Sequence, residues 1–193
     1  MLTLLYIHGF LSSPQSQKAQ QTKSWLNEFR PQIAYYCPSL SSYPVETARA
    51  LVELVQGLDA QHLCVIGSSM GGFWATWLVE AGLAHKAVLV NPAVNPHELV
   101  LDRIGVPLQS YYSEQTYCLK HEDAEELRRH DCATLAHPEK YWLMVQSGDE
   151  TLDYQQAVHR YRHCRQLIER GGSHSYEGYL QKLPSIMEFF ENP

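Results

Sequence analysis

The chain has 193 residues, 45% hydrophobic and 19% charged, with a formal net charge of −6 at pH 7. A chain of this length can bury a sizeable apolar core without metals or disulfides, and its composition gives no support to a disordered, collagen-like or membrane class. The mild acidity and the lack of any Lys/Arg cluster remove the footprint that a phosphate backbone needs, so nucleic acid is not an expected partner.

The first apolar run, residues 2–7, belongs to the segment MLTLLYIHGF, which has neither a basic leader nor a small-residue cleavage site and so reads as a buried strand. No later stretch approaches the roughly 20 apolar residues that span a bilayer, so no membrane span is expected. Helical character follows over residues 16–29, then a strand over 33–37. Ala48, Leu51, Val52, Val55 and Leu58 recur at helical spacing, with Pro44 suited to the first turn and Gly57 to the end. After a strand at 63–66, the residues Phe73, Trp74, Trp77, Leu78 and Ala81 mark a helix starting near Phe73 and closed by Gly82. Strands over 87–90, 142–146 and 164–168 alternate with helices over 153–161 and 179–190. This order predicts βαβ units, hence a parallel sheet covered by helices on both faces.

Residues 92–138 exceed what a simple crossover needs, and long excursions of this kind are usually lids or binding loops. The expectation is a single domain over 1–193 with 92–138 as a small cap. Within it, residues 121–129 place Glu122, Asp123, Glu125 and Glu126 before Arg128 and Arg129, a polarity that suits a helix dipole. Leu99, Leu101, Ile104, Val106, Tyr111 and Tyr112 supply apolar material, either to line an acyl pocket or to pack the cap down.

Chemistry concentrates in Gly67-Ser68-Ser69-Met70-Gly71-Gly72, a G-x-S-x-G between a strand and a helix. Framing the motif on Ser68 would require glycine at Ile66 and Met70, so the spacing selects Ser69 as nucleophile. A serine hydroxyl needs an imidazole to take its proton and a carboxylate to orient that imidazole. Both follow in the order Ser, acid, His: Asp149 lies just past the strand YWLMVQ, with Glu150 and Asp153 in reserve, and His174 follows two glycines near the C-terminus. Two backbone N–H groups must hold the developing oxyanion. Met70 is the first, and Phe10 the second, with Leu11 the alternative; His8 is read as organising that loop.

Cys37, Cys64, Cys118, Cys132 and Cys164 cannot all pair, which fits a reducing compartment, and no C-x-x-C supports zinc. His159 and His163 lie four apart on a predicted helix, but no third ligand completes a metal set. No metal or cofactor is expected, and the default location is the cytoplasm.

YIHGFLSSP, GSSMGG, QSGDETLDY and GGSHSYEGY together resemble the α/β-hydrolase superfamily and, more closely, its small bacterial YqiA-like esterases. The resemblance implies a cytosolic carboxylic-ester hydrolase without cofactor, acting on a small-molecule acyl ester or thioester. For Ser69, Asp149 and His174 it implies the roles already read from spacing. It also implies an α/β-hydrolase fold reduced to six parallel strands, ordered 2-1-3-4-5-6 by appearance, with Ser69 at the carboxyl end of the third. An acyltransferase using the same acyl-enzyme, or a non-catalytic binding protein on the same fold, stays open at this level, and the sequence sets no oligomeric state.

Overall fold

The structure is a computed structural model and describes residues 1–192. The chain runs β1 (Thr3–Ile7), α1 (Gln17–Phe29), β2 (Ala34–Tyr36), α2 (Pro44–Val55), β3 (Leu63–Ser68), α3 (Met70–Glu80) and β4 (Lys86–Val90). It continues through α4 (Pro96–Leu101), β5 (Pro107–Gln109), β6 (Thr116–Cys118) and α5 (His121–Arg129). The last elements are β7 (Tyr141–Gln146), α6 (Tyr154–Arg160), β8 (Arg165–Glu169) and α7 (Tyr179–Glu191). Six strands form one parallel sheet in the order β2-β1-β3-β4-β7-β8, which is the expected 2-1-3-4-5-6.

Alternation along each central strand builds two cores. Leu5, Ile7, Leu63, Val65, Ala87, Leu89, Leu143 and Val145 face α2, α3, α5 and α6. Their neighbours Leu4, Tyr6, Cys64, Ile66, Val88, Val90, Trp142 and Met144 face α1 and α7. Such two-sided burial is why these strands read as unbroken apolar runs. β2 and β8 differ because they are the sheet edges: Tyr36 is 37% and Ile168 48% exposed. The five cysteines are all free thiols.

Three expectations need correction. α2 stops at Val55 with Gln56 as a right-handed cap, and Gly57 is not among the positive-φ residues, so it does not close the helix. α3 starts at Met70 rather than near Phe73. Glycines weaken a helix and read locally as turn, but here they lie in its first turn because β1 passes too close to Gly71, and Pro92 too close to Gly72, for any side chain. The segment 92–138 contains α4 and the antiparallel hairpin β5–β6 besides the anticipated α5. Their runs of three to six residues are too short to display a period.

Candidate active site

β3 ends at Ser68, and the chain turns directly into α3 through Ser69, whose backbone has φ 56° and ψ −123°. Positive φ is costly for a residue with a side chain and persists only where its surroundings impose it. Here Ser69 N–H donates to the Val90 carbonyl (3.0 Å), while the Ser69 carbonyl accepts from Gly72 (2.9 Å) and Ala93 (3.0 Å). A Cβ on Gly71 would sit 2.0 Å from the Ile7 carbonyl oxygen, and one on Gly67 2.3 Å from the Gly71 carbonyl oxygen. Both clashes are with backbone, so only glycine fits, which explains the motif's spacing. Ser68 remains in the strand and buried.

His174 lies in the loop after β8 and brings the distant parts together. Its Nε2 is 3.1 Å from Ser69 Oγ, and its Nδ1 is 2.9 and 3.0 Å from the two Asp149 carboxylate oxygens. With an acceptor-only carboxylate at Nδ1, that nitrogen carries the proton and Nε2 presents a lone pair to the serine hydroxyl. The Asp149 side chain is only 1% exposed. Burial pushes its pKa up, but hydrogen bonds from His174 and from the Leu152 and Thr151 N–H groups prevail and hold it below the ordinary carboxylate value. The two reserve acids have other tasks. Glu150 accepts from the His174 backbone N–H (2.9 Å), and Asp153 caps α6 by accepting from Gln155 N–H (2.9 Å).

Two buried amides, not singled out in the sequence, hold the histidine loop. Asn91, at φ 41°, donates from Nδ2 to the Ser173 (3.0 Å) and His174 (3.1 Å) carbonyls and accepts from Gln146 N–H (3.0 Å). Gln146 accepts from Ser173 and Glu177 N–H (3.2 and 2.8 Å) and donates to the Glu177 carbonyl (2.8 Å). A Cβ on Gly172 would meet the Gln146 amide oxygen at 2.0 Å. The only local signal was a polar residue at or just past the end of each of two apolar strands.

Phe10 and Met70 line one cavity with Ser69. Met70 is the first residue of α3, so its N–H has no acceptor within the helix. Leu11 N–H instead donates to Ser42 Oγ (3.0 Å). His8 is buried, with Nδ1 on the Gly9 carbonyl (2.9 Å) and Nε2 accepting from Leu40 N–H (3.1 Å). Burial lowers its pKa, partly opposed by hydrogen bonds, so it is a neutral brace for the loop.

Two cavities flank Ser69. One of about 240 Å³ is walled by Leu99, Val100, Leu108 and Leu119, largely from the segment 92–138. The other, of about 280 Å³, is bounded by the start of α1, with Tyr111 and Tyr112 at its mouth. Leu101, by contrast, packs on the core, and Val106 is exposed.

A sequence profile described as Uncharacterised protein family (UPF0227) matches residues 3–191. The chain belongs to that family. Among solved structures, Est1E from Butyrivibrio proteoclasticus is similar at 16% identity and TM-score 0.69, covering 99% of this chain and 89% of that one. The mouse alpha/beta hydrolase domain-containing protein 10 aligns at 13% identity and TM-score 0.70, covering 98% and 89%. The esterase domain of a Rhodothermus marinus protein aligns at 13% and 0.70, covering 97% and 85%. UPF0227 thus has the α/β-hydrolase fold in this chain. No described helix is long and apolar enough to cross a membrane.

Proposed function

We propose that the protein is a serine hydrolase of carboxylic esters or acyl thioesters, working through an acyl-enzyme. The observation that carries this reading is the unbroken hydrogen-bonded chain from Ser69 Oγ through His174 to buried Asp149. Ser69 Oγ attacks the acyl carbonyl as His174 Nε2 takes its proton. Asp149 holds the imidazole and stabilises the positive charge it acquires. The Phe10 and Met70 N–H groups receive the oxyanion, a donor of this kind contributing about 3 kcal/mol to the barrier. His174 then protonates the leaving alcohol or thiol, and a water deprotonated by the same nitrogen releases the acid.

Residues 1–193 act as one domain in this reading, with 92–138 as the cap that shapes the acyl site. Two fold neighbours named as an esterase domain and as a hydrolase-domain protein support it. Five free thiols suit a reducing compartment, and the cytoplasm is the proposed location.

The test is turnover of short-chain chromogenic esters together with labelling by a fluorophosphonate. Ser69→Ala is expected to lower kcat by at least about 10⁴-fold and to abolish labelling, while Ser68→Ala keeps the label. A label that persists in Ser69→Ala overturns the assignment.

A further inference from the structure

The two cavities beside Ser69 differ in kind. Lys18 lines the one at the start of α1, where its ammonium donates to the Ser175 carbonyl at 2.8 Å. An ammonium has three donors, and no carboxylate lies within ion-pair distance of Lys18 among the described residues. Lys182 and Arg160, by comparison, rest on Glu169 and Asp131. Ser16 also lines this wall, but its Oγ is shut off from solvent and has no hydrogen-bond partner among the described residues. Ser16 is the N-cap of α1, yet its side chain makes no capping hydrogen bond.

We propose that this cavity receives the anionic arm of the ester, a compact oxyanion such as a carboxylate or phosphate, on Lys18. The apolar arm enters the chamber of Val100, Leu108 and Leu119. The inference rests on the hydrolase reading above and adds the substrate class: an ester with one greasy and one charged arm. An oxyanion in this cavity would supply acceptors to the remaining Lys18 donors in a charge-assisted bond. Consistent with this, burial lowers Lys18 to about 8, opposed by the charge of Asp149. The other titratable groups facing it across the cavity are Tyr6, His8, Tyr111, Tyr112 and His174.

A plainer role is available to Lys18, since its bond to Ser175 staples α1 to the histidine loop. Substrate pairs separate the two. Phenyl hexanoates bearing a para carboxylate or its neutral carboxamide put the charge on the leaving side. A p-nitrophenyl monoester of adipic acid, against its methyl-capped counterpart, puts it on the acyl side.

The quantity read is the ratio of kcat/KM, charged over neutral. For one of the pairs it is expected to be about tenfold in the wild type, to collapse in Lys18→Met and to survive in Lys18→Arg. The same ratio is expected to fade as pH is raised through about 8. Ratios near one for both pairs overturn the inference, as does a Lys18→Met variant that slows charged and neutral esters equally, which is the staple's signature.

Binding keeps the two readings apart. Calorimetry on Ser69→Ala is expected to show hexyl phosphate binding that disappears when Lys18→Met is added. If no ester is turned over, the hydrolase reading falls, and the Lys18 site stands or falls on that titration.

Discussion

The elbow at residues 67–72 and the segment 92–138 both border Ser69, but they are held in different ways. At the elbow, backbone packs on backbone: Gly71 lies against the Ile7 and His8 carbonyls, and Gly67 against the Gly71 carbonyl. The segment 92–138 is seated mainly by side chains, with a few backbone links such as Tyr111 N–H to the Leu11 carbonyl (2.9 Å) and Ala93 N–H to that of Ser69 (3.0 Å). Tyr117, for example, meets Tyr43 edge-on at 5.2 Å. Backbone contacts leave no room for substitution, whereas side-chain contacts can be exchanged. In the proposed function, the elbow therefore sets whether the serine is presented at all, and the segment sets what it meets.

The strongest way to break this contrast is Gly71→Ala. Its new methyl has nowhere to go against two carbonyls, so unfolding free energy is expected to fall by about 3 kcal/mol, near the upper end for overpacking. Urea denaturation reads this directly, and a variant as stable as the wild type would mean that the elbow yields as readily as the segment.

Asn91→Ala comes next, because it tests the frame behind the histidine. Removing the amide strands the Gln146 N–H and two loop carbonyls, a loss of about 2 kcal/mol. Loosening His174 is expected to lower kcat by about 10- to 100-fold more than it changes KM. If kcat is unchanged, the loop is held by Gln146 and the glycines alone.

The smallest effect belongs to the segment. Leu108→Ala enlarges the chamber of about 240 Å³ and is expected to shift selectivity toward longer acyl chains by about tenfold, the scale of one methylene in an apolar pocket. A competition assay over a series of ester chain lengths checks this. An unchanged profile would place the acyl arm elsewhere.

Most of the sheet could be read from the chain because central strands buried on both faces must be apolar throughout, and their order follows from alternation with helices. The edges were fainter because β2 and β8 are half exposed. Gly57 and the start of α3 misled because a glycine's meaning depends on what lies beside it. Gly57 has nothing within 4 Å, while Gly71 has a strand against it.

Within the site, Ser69, Asp149 and His174 were legible because each is tied to a strand end by short-range spacing. Asn91 and Gln146 were not, since a buried amide is identified by its partners, and those lie up to 83 residues away in sequence. What distinguishes Asp149 from Glu150 was likewise not local: one carboxylate lies on the imidazole and its neighbour on the same histidine's backbone.

The sequence by itself determined the alternating strands and helices, the serine at the turn and the order of its partners, because these follow from local periodicity and from glycines at fixed offsets. Tertiary structure alone decided that Leu11 N–H is taken by Ser42, which amides brace the histidine, and that Lys18 lines the cavity beside Ser69 with no carboxylate on it among the described residues. Those properties depend on residues brought together by the sheet crossovers and the long excursion, and no local pattern encodes such distances.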